Sequence, residues 1–142
     1  MTQCKLVTYV PLLILGIVVL HFLAVFSGLY DSQIQQGFVW IDNVLHALSG
    51  AVFALLWLWI LEKKNWEISF LLTILSTLGF VLLLAVGWEV LEYFFYITFT
   101  DYAHSLQIYS PTFQEAISDI VSNLIGGIVL LLLVYGKHRL VQ

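Results

Sequence analysis

The stretch 68–99, ISFLLTILSTLGFVLLLAVGWEVLEYFFYITF, decides the fold. It is apolar almost throughout, with two acidic side chains, Glu89 and Glu92, and no Lys or Arg. A helix rising 1.5 Å per residue crosses a hydrocarbon core of about 30 Å in roughly 20 residues, so this run spans a bilayer and then tilts or projects. The projection is expected at 93–99. Carboxylates at that depth are costly unless a bound cation, a shared proton or water balances them.

Three more hydrophobic segments flank it, at 6–29, 38–61 and 115–135. The chain is 61% hydrophobic and 10% charged with a mean hydropathy of +0.99, which makes lipid its principal solvent. Its 142 residues hold four spans and short connections, leaving no length for a soluble domain. The expected fold is all-α: four transmembrane helices in a compact bundle forming a single domain over 1–142. Pro11 falls in the first turns of the first helix, where a missing N–H is best tolerated. Ser110 and Pro111 close the last loop, and Thr112-x-x-Glu115 reads as a capping box opening the fourth helix.

Orientation follows from the basic residues. Lys5 precedes the first span, Lys63 and Lys64 lie between the second and third, and Lys137 and Arg139 follow the last. By the positive-inside rule both termini are expected in the cytoplasm of a bacterial or archaeal cell, the chain lying in the cytoplasmic (inner) membrane. Of the nine acidic residues only Glu62 and Glu67 fall on the basic side. The first segment is not expected to be a signal peptide: its apolar run exceeds a usual h-region, and bulky Phe26 stands where a small residue is wanted. Cys4 is the only cysteine, which excludes an intrachain disulfide and any metal-thiolate motif.

The polar residues inside the spans form three motifs: Asp42-x-x-x-His46, Glu89-x-x-Glu92 and Glu115-x-x-x-Asp119-x-x-x-Asn123. Spacings of three and four residues place each motif on one helix face. All of these groups, and His21, fall toward the outer ends of their helices. Ser49 and Gly50, Gly87, and Gly126 and Gly127 sit beside them, as expected where helices approach closely and polar faces turn into a bundle. Simpler readings stand beside this one. Asp42 and Glu115 lie near helix N-termini, where the dipole favours an anion. His46 alone could be a satisfied core histidine, and Asn123 could be an interhelical hydrogen bond. His21 has no partner close in sequence, and His104 reads as solvated. The five tryptophans read mostly as lipid-facing or interfacial residues. Glu89 and Glu92 have no such explanation, because they lie toward a helix C-terminus, where the dipole disfavours an anion.

The segments IDNVLHALSG (41–50), GWEVLEY (87–93) and EAISDIVSNLIGG (115–127), in that order on successive helices, resemble the VanZ-like and YjdF-like families of small bacterial membrane proteins. The resemblance covers roughly 38–135. It implies a helical membrane fold with a polar site to which Asp42, His46, Glu89, Asp119, Asn123 and Gly126 correspond. Glu115 stands where YjdF-like proteins tend to have Asp, and the Arg that VanZ-like members often carry upstream of the last Asp is missing here.

Carboxylates with one or two imidazoles suit a divalent metal such as Zn, Mn, Fe or Mg. The expected metal ligands are Asp42, His46, Glu89, Glu92, Asp119 and Asn123, with Glu89 and Glu92 as candidate catalytic carboxylates. The leading expectation is a metal-binding membrane protein, a hydrolase or transferase acting on an amphiphilic substrate such as a lipid or lipid-linked head group from the outer leaflet. Membrane lipids, a second copy of the chain or a partner membrane protein are the expected partners; nucleic acid is not among them. The alternatives are a proton- or ion-coupled transporter or channel subunit using the carboxylates as a relay, and an accessory subunit pairing them with a partner's basic residues.

Overall fold

The computed structural model describes residues 10–29, 40–105 and 112–139. Lys5, on which part of the topology argument rests, and Ser110 and Pro111, expected to close the last loop, lie outside the described residues. Within them the chain is all-helical: α1 (Val10–Phe26), α2 (Trp40–Lys63), α3 (Phe70–Thr98), a short α4 (Thr100–Ser105) and α5 (Phe113–Arg139). Among the described residues, three helices are long and apolar enough to cross a membrane: α2, α3 and the segment Phe113–Gly136 of α5. α1 is equally apolar but has 17 residues, shorter than the 6–29 segment expected, whose first four residues are not described. α2 and α5 each extend past the expected inner boundary, and α4 occupies part of a stretch expected to be loop.

Local chemistry explains the helix ends. α1 stops at Gly28, whose φ of 69° is the left-handed conformation that lacks a steric penalty only for glycine. At the end of α2 the same role falls to Asn65, with φ 51°. Its N–H donates to the Glu62 carbonyl (3.1 Å) and that of Trp66 to the Leu61 carbonyl (3.2 Å), the paired bonds of a Schellman cap. Ser69 caps α3 by accepting from the Leu72 N–H. The capping box at α5 is present as expected: the Glu115 N–H donates to Thr112 Oγ1 (3.2 Å), and the Thr112 N–H donates to Glu115 Oε2 (2.9 Å). Glu115 is therefore an exposed cap, which accounts for an acid at that position without any ligand.

α2 forms the hub, packing most extensively on α5, then on α3 and α1. The α2–α5 pair is parallel: Asn43 meets Ser118 and Ser122, and Ala47 lies against Gly126. Glycine makes this contact possible, because a Cβ at Gly50 would overlap the backbone of Asn123 and one at Gly126 the backbone of Ala47. α3 runs antiparallel to both. Trp57 on α2 stacks on Phe80 at 4.8 Å and donates its indole N–H to Ser76 Oγ at 3.0 Å, so this tryptophan joins two helices and does not simply face lipid. Val81 and Thr77 of α3 are fully enclosed, with Val81 against Gly127. Outward, α3 and α5 expose leucine, valine and phenylalanine along their lengths, as expected of helices solvated by lipid.

Candidate metal centre

The parallel pairing of α2 with α5 puts two helix N-termini at one end of the bundle, and antiparallel α3 brings its C-terminal half to the same end. At 1.5 Å per residue, His46 lies about 9 Å into α2 and Asp119 about 9 Å into α5, while Glu92 and Glu89 lie about 9 and 14 Å from the end of α3. Polar groups expected to share a level therefore do so, held there by the glycine contacts one turn further in.

Three of these groups converge. One ligand atom each from Asp42, His46 and Asp119 lies within 4.8 Å of the others. His46 Nε2 is 3.9 Å from Asp42 Oδ1 and 3.9 Å from Asp119 Oδ2. Those separations are too long for hydrogen bonds. They are close to the roughly 3.4 Å between neighbouring donors around a tetrahedral ion with bonds of about 2.1 Å, so a small closure of the side chains would seat one. The set also fits in charge: two carboxylates and a neutral imidazole offset a divalent cation, and three protein ligands leave a position open. His46 and Asp119 are buried and Asp42 is partly exposed, so the cluster is reached from the side of Asp42.

The other expected ligands fall around this cluster. Asn123, 1% exposed, lies behind the imidazole: its amide nitrogen donates to His46 Nδ1 (3.0 Å) and to the Asp119 backbone carbonyl (3.0 Å). Its position is that of a group orienting a ligand, while its Oδ1 is buried without a hydrogen-bond partner. Glu89 is 8% exposed, its Oε1 is likewise buried and unpartnered, and it is close enough to interact electrostatically with Asp42 and Asp119. A buried carboxylate oxygen with no protein donor fits a cation as its partner. Glu92, half-buried beside Trp88, is also close enough to interact electrostatically with Asp42 and Asp119, and like Glu89 it lies outside the three-residue cluster.

Asn43 was not legible as part of the site. Its Oδ1 accepts from both Ser118 Oγ (2.7 Å) and Ser122 Oγ (2.9 Å), tying α2 to α5 immediately beside Asp42 and Asp119. The available signal was the polar spacing Ser118-x-x-x-Ser122, which runs one residue ahead of Asp119-x-x-x-Asn123 on the same helix.

A family model described as "Predicted membrane protein (DUF2238)" matches residues 1–140. The chain belongs to this family. Membership agrees with the apolar helices and assigns the family no activity. Neither the VanZ-like nor the YjdF-like likeness is brought out by that match. No protein of curated function and no solved structure matches the chain.

Proposed function

We propose that this family member binds one divalent metal ion through Asp42, His46 and Asp119 in the outer half of the membrane, with Glu89 as a neighbouring carboxylate, and uses it on the head group of an amphiphile. The observation that carries the reading is the convergence of three ligand atoms within 4.8 Å. It is supported by the lack of a Lys or Arg within 38–61, 68–99 and 115–135, the runs that supply the acids. Uncompensated, two carboxylates this close at membrane depth would repel each other and bear the cost of desolvation.

The chemistry follows from the donor set. A metal with three protein ligands and an open position polarises a phosphoryl or carbonyl oxygen, or makes bound water nucleophilic near neutral pH. Glu89, whose Oε1 is buried without a hydrogen-bond partner, would be the nearby carboxylate to take a proton in such chemistry. The substrate class follows from location: with both termini in the cytoplasm the cluster faces the outer leaflet, where lipid or lipid-linked head groups lie at its level. The inner parts of the spans, 10–20, 51–61, 70–87 and 124–134, contain no acidic, basic or histidine residue. A site closed toward the cytoplasm favours binding over a proton or ion relay within one chain.

Elemental analysis of the detergent-purified protein tests the reading. Close to one equivalent of a transition metal in the wild type, lost from Asp42→Asn and Asp119→Asn variants that keep their helical content, is the expected result. A wild type that carries no metal and takes none up from Zn, Mn or Fe would sink it.

A further inference from the structure

His21 belongs with this site, although nothing near it in sequence says so. Among residues 10–26 of α1 only Val10, Ile17, His21, Ala24 and Val25 escape full exposure. Their spacings of seven, four and three residues define one face, turned toward α2, the helix on which α1 chiefly packs. The register is fixed at the inner end, where Val10 packs with Val52 and Leu55, with Ile17 against the same cluster. From Val10 to His21 is about 16 Å of helix, and the same length back along an antiparallel α2 from Val52 and Leu55 reaches residues 41–44. His21 is thus level with Asp42, and it stands within electrostatic range of both Asp42 and His46. Asp42 is the partly exposed member of the cluster, so the approach left open by the other ligands is the one α1 flanks.

We propose that His21 is the fourth ligand of the metal bound by Asp42, His46 and Asp119, an inference that rests on the metal reading above and moves the open position for substrate or water to a fifth site on the ion. His21 stands outside the 4.8 Å cluster, so ligation requires its ring to swing toward Asp42 about its side-chain torsions. The consequence is a change of metal preference. Two imidazoles and two carboxylates favour Zn, Mn or Fe, whereas one imidazole among oxygen donors leaves Mg competitive. The ligand set then draws on α1, α2 and α5, so metal binding also fastens α1 to the bundle.

Pulsed EPR of the protein loaded with Cu²⁺, expressed without a histidine tag, counts coordinated imidazoles directly, and Cu²⁺ binds such sites most tightly of the divalent series. Two imidazoles in the wild type and one in His21→Ala, with zinc affinity in that variant lower by roughly tenfold to a hundredfold, are expected. One imidazole in the wild type, unchanged in His21→Ala and lost in His46→Ala, would overturn the role of His21 while leaving the metal site standing. A wild type that binds neither Cu²⁺ nor Zn²⁺ stoichiometrically would overturn both. The wild-type count decides the matter even where a variant folds poorly.

Discussion

Asn123 and His46 are joined edge to edge, amide nitrogen to Nδ1, across 3.0 Å in a part of the bundle closed to solvent. With the amide donating, Nδ1 accepts, and the imidazole proton sits on Nε2, the nitrogen that faces Asp42 and Asp119. A metal at Nε2 requires the other tautomer, with Nδ1–H donating outward. Turning the amide over would offer Asn123 Oδ1, buried and without a partner, to that proton, at the cost of the Nδ2–H bond to the Asp119 carbonyl. Asn123→Leu, which keeps volume and removes the acceptor, should retain helical content and lower metal affinity by roughly tenfold to a hundredfold. Asn123→Asp, which keeps an acceptor, should bind metal far better than Asn123→Leu. Calorimetric titration with zinc checks this, and equal affinities in the two variants would count against the role assigned to Asn123.

The glycine contacts lead to a prediction about stability. Gly50 and Gly126 each face backbone of the opposite helix, so an added methyl cannot be accommodated by moving a side chain; the helices must separate. Gly126→Ala should lower the thermal unfolding temperature in detergent, at a cost of at least about 1–3 kcal/mol. Because that contact lies one turn from Asn123 and His46, metal binding should weaken with it. Gly79→Ala, at a position open around its Cβ, is the control and should change neither.

Asn43 accepts two hydroxyl hydrogen bonds with a single oxygen, so its partners are partly redundant. Ser118→Ala and Ser122→Ala should each cost little, in line with the roughly 0.6 kcal/mol average for interhelical hydrogen bonds in membranes. Asn43→Ala should cost more than either, and the Ser118→Ala, Ser122→Ala double variant should approach it. A double-mutant cycle read by unfolding in mixed micelles measures the coupling; additive single effects equal to the double would show that the bonds act independently.

What could be read in the chain was local, and what could not was the pairing between helices. The run 68–99 announces its helix by length and apolarity, and Thr112-x-x-Glu115 announces its cap because both partners lie within one turn. Asp42 and His46 are likewise one turn apart, and that spacing already points them in one direction. Asn43 is different: its partners are 75 and 79 residues away, and only the parallel packing of α2 on α5 brings them together. His21 shows the same limit, since its relevance comes from the register of α1 along α2. Glu89 and Glu92 read as a pair from their spacing, and the packing buries Glu89 while leaving Glu92 half-buried beside Trp88.

That separation of the two glutamates can be tested directly. Both glutamates are within electrostatic range of Asp42 and Asp119, but Glu89 is buried with an unpartnered oxygen whereas Glu92 is half-buried beside Trp88. Glu89→Gln removes a charge that faces the cluster, so it should lower metal content and abolish the extra thermal stability gained on adding zinc. If the metal activates water against a lipid-linked phosphate, the same substitution should cost on the order of 10²–10⁴ in turnover, the range for loss of a general base. Glu92→Gln should leave metal content near the wild-type value and affect turnover far less. Metal analysis and phosphate release, measured side by side on both variants in mixed micelles, separate the roles. A Glu92→Gln variant that loses its metal while Glu89→Gln keeps it would reverse the assignment, because the neighbouring carboxylate that supports the metal would then be the one nearer the membrane surface.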